Sequence, residues 1–275
     1  MFSRWFTKRS RTPVIASAVW EACVSQMPFI ECLSREAREH LIDLADRFVE
    51  QKDFSGTHGF VVTDAVRAAI ALQACLPVAR LGLKPYSDFV EVIVYPDRFV
   101  TPRSRVDEAG VVHESVEELS GETMPGGPVV LAWPDVDPGS GVAGLSVVIH
   151  EFVHKLDLLD GEDDGVPPLP PAKRLHWVTV LDAAYERFCN DLELVERSIP
   201  IDIDPESEAA DPYFAQLAFD PYAATDHAEF FAVSAEAFFT MPGGLADSFP
   251  DLDALYSAYF GYPARSDSIK SGAEL

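Results

Sequence analysis

Residues 144–159 read GLSVVIHEFVHKLDLL, and within this run His150, Glu151 and His154 stand at offsets that demand a chemistry. A helix advances about 100° per residue, so His150 and His154 lie one turn apart on one face, close enough to grip a single cation. Neutral imidazoles suit zinc. On the same wheel Leu145, Val148, Ile149, Phe152, Leu156 and Leu159 form a stripe nearly opposite the histidines. One face therefore packs and the other looks onto a site. Glu151 sits on the flank, where a carboxylate can reach an activated water without occupying a coordination position. The competing reading is a buried helix with hydrogen-bonded histidines, which would place the histidines inside the apolar stripe.

The bulk numbers frame this helix. With 275 residues and 48% hydrophobic content the chain can bury a sizeable core. No run approaches the roughly 18 apolar residues of a membrane span, and the segment from Pro13 to Trp20 is too short for a signal-peptide core, so no transmembrane segment and a cytoplasmic location are expected. The formal net charge of -24 argues against nucleic acid as a partner, since a polyanion would be repelled. Cys23, Cys32, Cys75 and Cys189 show no paired spacing and read as reduced thiols.

Along the chain, residues 1–19 read as a basic N-terminal arm and residues 20–275 as the main domain, helical over 20–88 with the core that carries the site over 89–275. Ser34 caps a run with Ala37, Leu41, Leu44, Ala45 and Phe48 at helical spacing, and Thr63 or Asp64 opens a second helix from Ala65 to about Ala79. Val90 to Tyr95, Val111 to Val116 and Pro128 to Trp133 read as strands of a small sheet, the last as the exposed edge that aligns a substrate. His113 and Glu114, adjacent in a strand, point to opposite faces and do not share a cation. The acidic run from Asp160 to Gly165 reads as a solvated turn, a helix follows from about Lys173 to Val195, and Ser198 to Asp211 reads as an exposed loop.

From Ala228 onward a helix is apolar nearly all round and carries Glu229 and Glu236, seven residues and about 10.5 Å apart, too far for both to hold one ion. Two histidines leave a zinc site incomplete, and Glu229 is the candidate third ligand, with Glu236 supporting the site. A competing role for Glu229 is reciprocal capping with Asp226.

The runs Val94 to Asp97, Gly110 to Glu114, Gly127 to Val130, His150 to Gly161 and Asp220 to Val233 resemble the Mlc titration factor A (MtfA) family of bacterial zinc metallopeptidases over most of the chain. The resemblance implies an α+β, zincin-like fold, mostly helical with a small mixed sheet, and a catalytic core similar to that of anthrax lethal factor protease. It implies one Zn2+ per chain on His150, His154 and Glu229, with Glu151 as general base and Tyr222 assisting. The expected activity is peptide-bond hydrolysis, aminopeptidase-like or endopeptidic, on a peptide or protein substrate. The alternative implied by the same resemblance is a regulatory protein that sequesters a transcriptional repressor, as that family does with the glucose repressor Mlc, independently of catalysis. The acidic, proline-containing segment before Asp220 departs from the family pattern.

Overall fold

Short polar side chains set where the helices start. In the computed structural model, which describes residues 12–106, 112–119, 121–137, 145–241 and 243–262, Ser34 accepts from the Ala37 amide and Thr63 from that of Val66. Each satisfies one of the unpaired N–H groups of a first turn. The basic arm at residues 1–11 lies outside the described residues, but the chain is already packed at Ile15, whose amide, with that of Val14, is held by buried Asp46.

The order of elements is α1 (Ser17–Val24), α2 (Pro28–Glu31), α3 (Arg35–Gln51), β1 (Asp53–Gly56), α4 (Asp64–Cys75), β2 (Glu91–Tyr95), β3 (Phe99–Val106), β4 (Val112–Leu119), β5 (Gly121–Thr123) and β6 (Val129–Ala132). Then follow α5 (Trp133–Val136), α6 (Val147–Asp157), α7 (Pro171–Ser198), α8 (Asp211–Phe214), α9 (His227–Thr240), α10 (Gly244–Ser248) and α11 (Pro250–Phe260). The architecture is α+β and zincin-like: a small mixed sheet, with the helix bearing the histidines laid against one face. No described helix is long and apolar enough to cross a membrane.

The sheet runs β1-β2-β6-β5, parallel except for the antiparallel β6–β5 pair, while β3 and β4 form a separate antiparallel hairpin. This corrects the expectation for the segment from Pro128 to Trp133: β6 lies between β2 and β5 and is not an edge. All four of its residues are buried, the mark of a strand covered on both faces rather than one open to solvent. The edges are β1 and β5, and β5, three residues long and not revealed by the sequence pattern, is the one fastened to α6 through Thr123.

Alternation decides which side chains meet the helices. Register pairs Val92 with Val129 and Val94 with Leu131, and all four are fully buried on the helical face. Beneath them Phe152 of α6 meets Phe48 of α3 edge-on at 5.6 Å between ring centres and Tyr86 at 5.1 Å. The Tyr86 hydroxyl donates to the carbonyls of Ala74 and Phe152, tying the first helices to the metal-helix candidate. A second aromatic group, Trp177, Phe231, Tyr256 and Phe260, locks α9 between α7 and α11. One continuous apolar core runs from Ile15 to Phe260.

Candidate metal centre

The helix α6 carries the stripe that its sequence predicts in the middle and loses it at both ends. Val148, Ile149, Phe152 and Leu156 are fully buried, whereas Leu145 and Leu159 are 46% and 38% exposed because the helix spans only Val147–Asp157. Ser146 caps its start, accepting from the Ile149 amide and donating its hydroxyl to Gln73 of α4. Opposite, α9 is buried without a break from Phe230 to Phe239, which fixes its rotation and turns Glu229 and Glu236 toward α6. Asp226 caps it through the Glu229 amide at 3.0 Å. The Glu229 carboxylate itself goes to the imidazoles instead of completing a capping box.

Three electron-pair donors converge between these helices. Nε2 of His150 and Nε2 of His154 are 3.1 Å apart, and Oε2 of Glu229 lies 3.0 and 3.4 Å from them. Each imidazole turns its other nitrogen to a carboxylate: Nδ1 of His150 is 2.9 Å from Glu236, and Nδ1 of His154 is 3.2 Å from Asp163. A carboxylate on Nδ1 selects the tautomer that donates there, which leaves the Nε2 lone pairs facing each other. A proton bridging the two nitrogens would still leave Glu229 Oε2 buried with no hydrogen-bond partner. A cation resolves all three at once. Tetrahedral ligands at zinc distances stand roughly 3.3 Å from one another, close to the spacing here. Among the described residues this is the one group of histidine, cysteine and acidic side chains arranged to hold a metal ion, with ligand atoms within 4.8 Å.

The electrostatics agree with that chemistry. Burial alone would drive protons off both imidazoles, but the facing carboxylates of Glu229 and Glu236 hold His150 well above its ordinary value, and those of Asp163 and Glu229 lift His154 to about 9. Burial pushes Glu229 upward, yet the two histidines outweigh it and keep its carboxylate well below the usual range. The surroundings favour positive charge at the point where the three donors meet.

Around this point stand the other residues singled out from sequence. Glu151 is buried, and burial raises its carboxyl while the neighbouring imidazoles pull it back. It faces β5: a Cβ placed on Gly121 would come within 2.5 Å of Glu151 Oε1, so only glycine leaves room for this carboxylate. The Thr123 hydroxyl donates to the Glu151 carbonyl at 3.1 Å, and fully buried Lys155 donates to the carbonyls of Met124 and Gly127, so the β5–β6 turn is fastened along α6. Tyr222, in the 3-10 turn before α9, is 46% exposed and places its hydroxyl 3.2 Å from Glu229 Oε1. Its ring centre is 6.3 Å from that of His150. The fold thus gathers His150, Glu151, His154, Tyr222 and Glu229 in one place and sets Glu236 against Nδ1 of His150.

Gly121 and Asp163 escaped the sequence reading. A three-residue strand has no periodicity to expose Gly121, and Asp163 looked like one acid among several in a turn. His113 and Glu114 lie on β4, in register with Arg105 and Ser104, in the separate hairpin and not in the four-stranded sheet.

The sequence pattern of the family described as glucose-regulated metallo-peptidase M90 matches residues 2–261. The chain belongs to this M90 family. M90 relatives called Mlc titration factor A are similar along nearly all of it: the protein of Cronobacter sakazakii is 34% identical over 259 residues, covering 94% of this chain and 91% of that one. The protein of Escherichia fergusonii has the same identity and coverage. That of Serratia proteamaculans is 33% identical over 258 residues, 94% and 92% of the two chains. For an M90 metallo-peptidase, a helix-borne histidine pair facing a glutamate is the site at which a metal ion is expected.

Proposed function

We propose that the chain is a zinc-dependent peptidase that adds water across a peptide bond, with His150, His154 and Glu229 as the residues that hold the metal. The observation that carries this reading is the convergence of two Nε2 atoms on the partnerless Oε2 of Glu229. Zinc, when bound there, supplies Lewis-acid polarisation and makes a water acidic near neutral pH.

The remaining roles fall to the chain's own groups. Glu151 takes a proton from the attacking water as its oxygen bonds to the carbonyl carbon, then hands that proton to the amide nitrogen as the C–N bond breaks, leaving a carboxylic acid and an amine, and the acid then gives its remaining proton to the amine so that a carboxylate and an ammonium group depart. Gly121 supports this role by giving the Glu151 carboxylate its space. Tyr222, exposed and carrying a donor hydroxyl, stabilises the oxyanion that develops on the carbonyl oxygen. The outer edge of β5, which no described strand pairs with, lies beside Glu151 and aligns the substrate backbone by strand addition. A ledge of three residues reads only a few substrate positions, which suits short peptides and an aminopeptidase-like action.

Zinc content and hydrolysis of a mixed peptide library test the assignment. Glu151→Gln should keep zinc and lose at least about 100-fold in rate, the usual worth of a general base; full activity would remove Glu151 from the mechanism. Glu229→Ala should lose the metal at neutral pH, and unchanged stoichiometry would place the third ligand elsewhere.

A second reading, supported by the similarity to proteins called Mlc titration factor A, is that the chain binds a transcriptional repressor of the Mlc kind without catalysis. Capture of purified repressor by a zinc-free Glu229→Ala protein, with no peptide turned over by the parent, would favour it.

A further inference from the structure

We propose that the face of the sheet turned away from the metal helix holds a subsite for a basic side chain of the substrate, with Glu122 as its anion. The inference rests on the peptidase reading and extends it to substrate class.

Side chains alternate along β5. Gly121 abuts Glu151 on the helical face, so Glu122 must leave by the opposite one. It does: Glu122, in register with Val130 of β6, lines a cavity of about 570 Å³ together with Tyr95 and Phe99. The same alternation governs a substrate strand added to the β5 edge. A residue level with Gly121 presents its side chain to the metal centre, and its neighbour in sequence sends a side chain to the face of Glu122. The cavity is therefore the place where a residue flanking the scissile bond is read.

Its chemistry is that of a cation site. Glu122 and Asp97 line it, and neither has an ion-pair partner among the described residues. Arg98, the cationic residue among the described residues of the lining, directs its guanidinium to Asp135 through two bonds of 2.7 and 2.9 Å. The rings of Tyr95 and Phe99, 5.0 Å apart, supply faces over which an ammonium or guanidinium group is attracted, and the His58 ring closes the cavity 5.6 Å from Tyr95. An acidic side chain would meet like charge there, and a small apolar one would leave two carboxylates unused. A lysine or arginine stem covers the rings with its methylenes and brings its charge to Glu122.

The experiment uses the zinc-loaded full chain and a set of otherwise identical quenched-fluorescence peptides in which Lys, Ala or Glu is placed in turn at each position around the cleaved bond. At one flanking position kcat/KM for Lys should exceed that for Ala about 5- to 10-fold, the scale of one partly exposed ion pair with a cation–π contact. In Glu122→Gln the Lys-to-Ala ratio should fall to about two, the share left to Asp97 and the rings, and in Glu122→Lys the preference should turn to Glu. Equal Lys and Ala rates at every position, or a preference undiminished in Glu122→Gln, would overturn the subsite while leaving the peptidase reading intact. If the zinc-loaded parent hydrolyses none of the peptides, the peptidase reading fails instead. The subsite is then decided by fluorescence anisotropy of the Lys and Ala peptides on the parent and on Glu122→Gln: a Lys advantage diminished by the substitution supports it, and none, or one undiminished, overturns it.

Discussion

Glu236 of α9 stands 2.9 Å from Nδ1 of His150 on α6, and its second oxygen takes the amide of Ser146, the capping residue of that helix, at 2.5 Å. One buried carboxylate thus fixes both the tautomer of a metal-ligand candidate and the start of the helix that carries it. A carboxylate on the far nitrogen of a ligating histidine raises its basicity, and removing such a partner costs roughly 10- to 100-fold in metal affinity. Glu236→Gln keeps an acceptor but loses the charge, so its zinc Kd, measured by competition with a chelator, should rise about 10-fold with the fold intact. Glu236→Ala should come near 100-fold. An unchanged Kd in both would mean that His150 is oriented by something else.

Much of the frame was legible because local rules and tertiary packing agree on it. Ser34, Thr63 and Asp226 cap the helices at the positions their side chains suggest, and the apolar middle of α6 lies on the buried side of the wheel. The ends failed where a wheel has no knowledge of length: Leu145 and Leu159 sit beyond the helix and face solvent. The strands β1 and β5 were not legible, since Asp53–Gly56 and Gly121–Thr123 carry little apolar alternation and exist because β2 and β6 pair with them. β3 hid behind Pro102 and a charged pattern. At the site, residues joined by helical spacing were visible, whereas Gly121 and Asp163 act across elements on Glu151 and His154, a relationship no local spacing encodes.

Gly121 gives a test of how closely β5 governs Glu151. Its φ is not in the left-handed region, so alanine is permitted by the backbone and is opposed first by the Glu151 side chain, at 2.5 to 2.8 Å. Gly121→Ala should therefore push Glu151 aside without touching His150, His154 or Glu229. Zinc stoichiometry should stay at the parent's value while kcat falls about 10- to 100-fold, part of what a general base contributes. Pairing the substitution with Glu151→Gln should cost little more than Glu151→Gln alone, because both act through one group. Additive losses would show that Gly121 acts otherwise, for instance on the substrate strand.

Metal held between α6 and α9 would link two helices that otherwise meet through packing and the hydrogen bonds of Glu236, so it should act as a staple. A ligand that binds only the folded chain stabilises it by about 4 kcal/mol at a thousand times its Kd. For a chain of this size that corresponds to roughly 8–16 °C in Tm. Chelation should lower Tm by that order and abolish hydrolysis, and adding zinc back should restore both. In Glu229→Ala the zinc-dependent shift should nearly vanish.

Asp157, at the end of α6, is fully buried, with Oδ2 accepting from the Gly165 amide at 2.7 Å and Oδ1 without a partner. Burial pushes its carboxyl up to about 8 from an ordinary 3.8; the Gly165 amide works against this, while Asp163 and Asp164 add like charge. The folded chain therefore binds the Asp157 proton more tightly than the unfolded chain does. The stability this proton confers is full below about pH 3.8 and is lost as pH rises through about 8. Asp157→Asn keeps an acceptor for Gly165 and cannot ionise. Compared in chelator, so that the metal plays no part, the two proteins should have similar Tm values near pH 5. By pH 9 the parent should have fallen relative to the variant by at least about 1 kcal/mol, some 2–4 °C. Parallel Tm profiles from pH 5 to 9 would show that Asp157 ionises in the folded chain as readily as in the unfolded one.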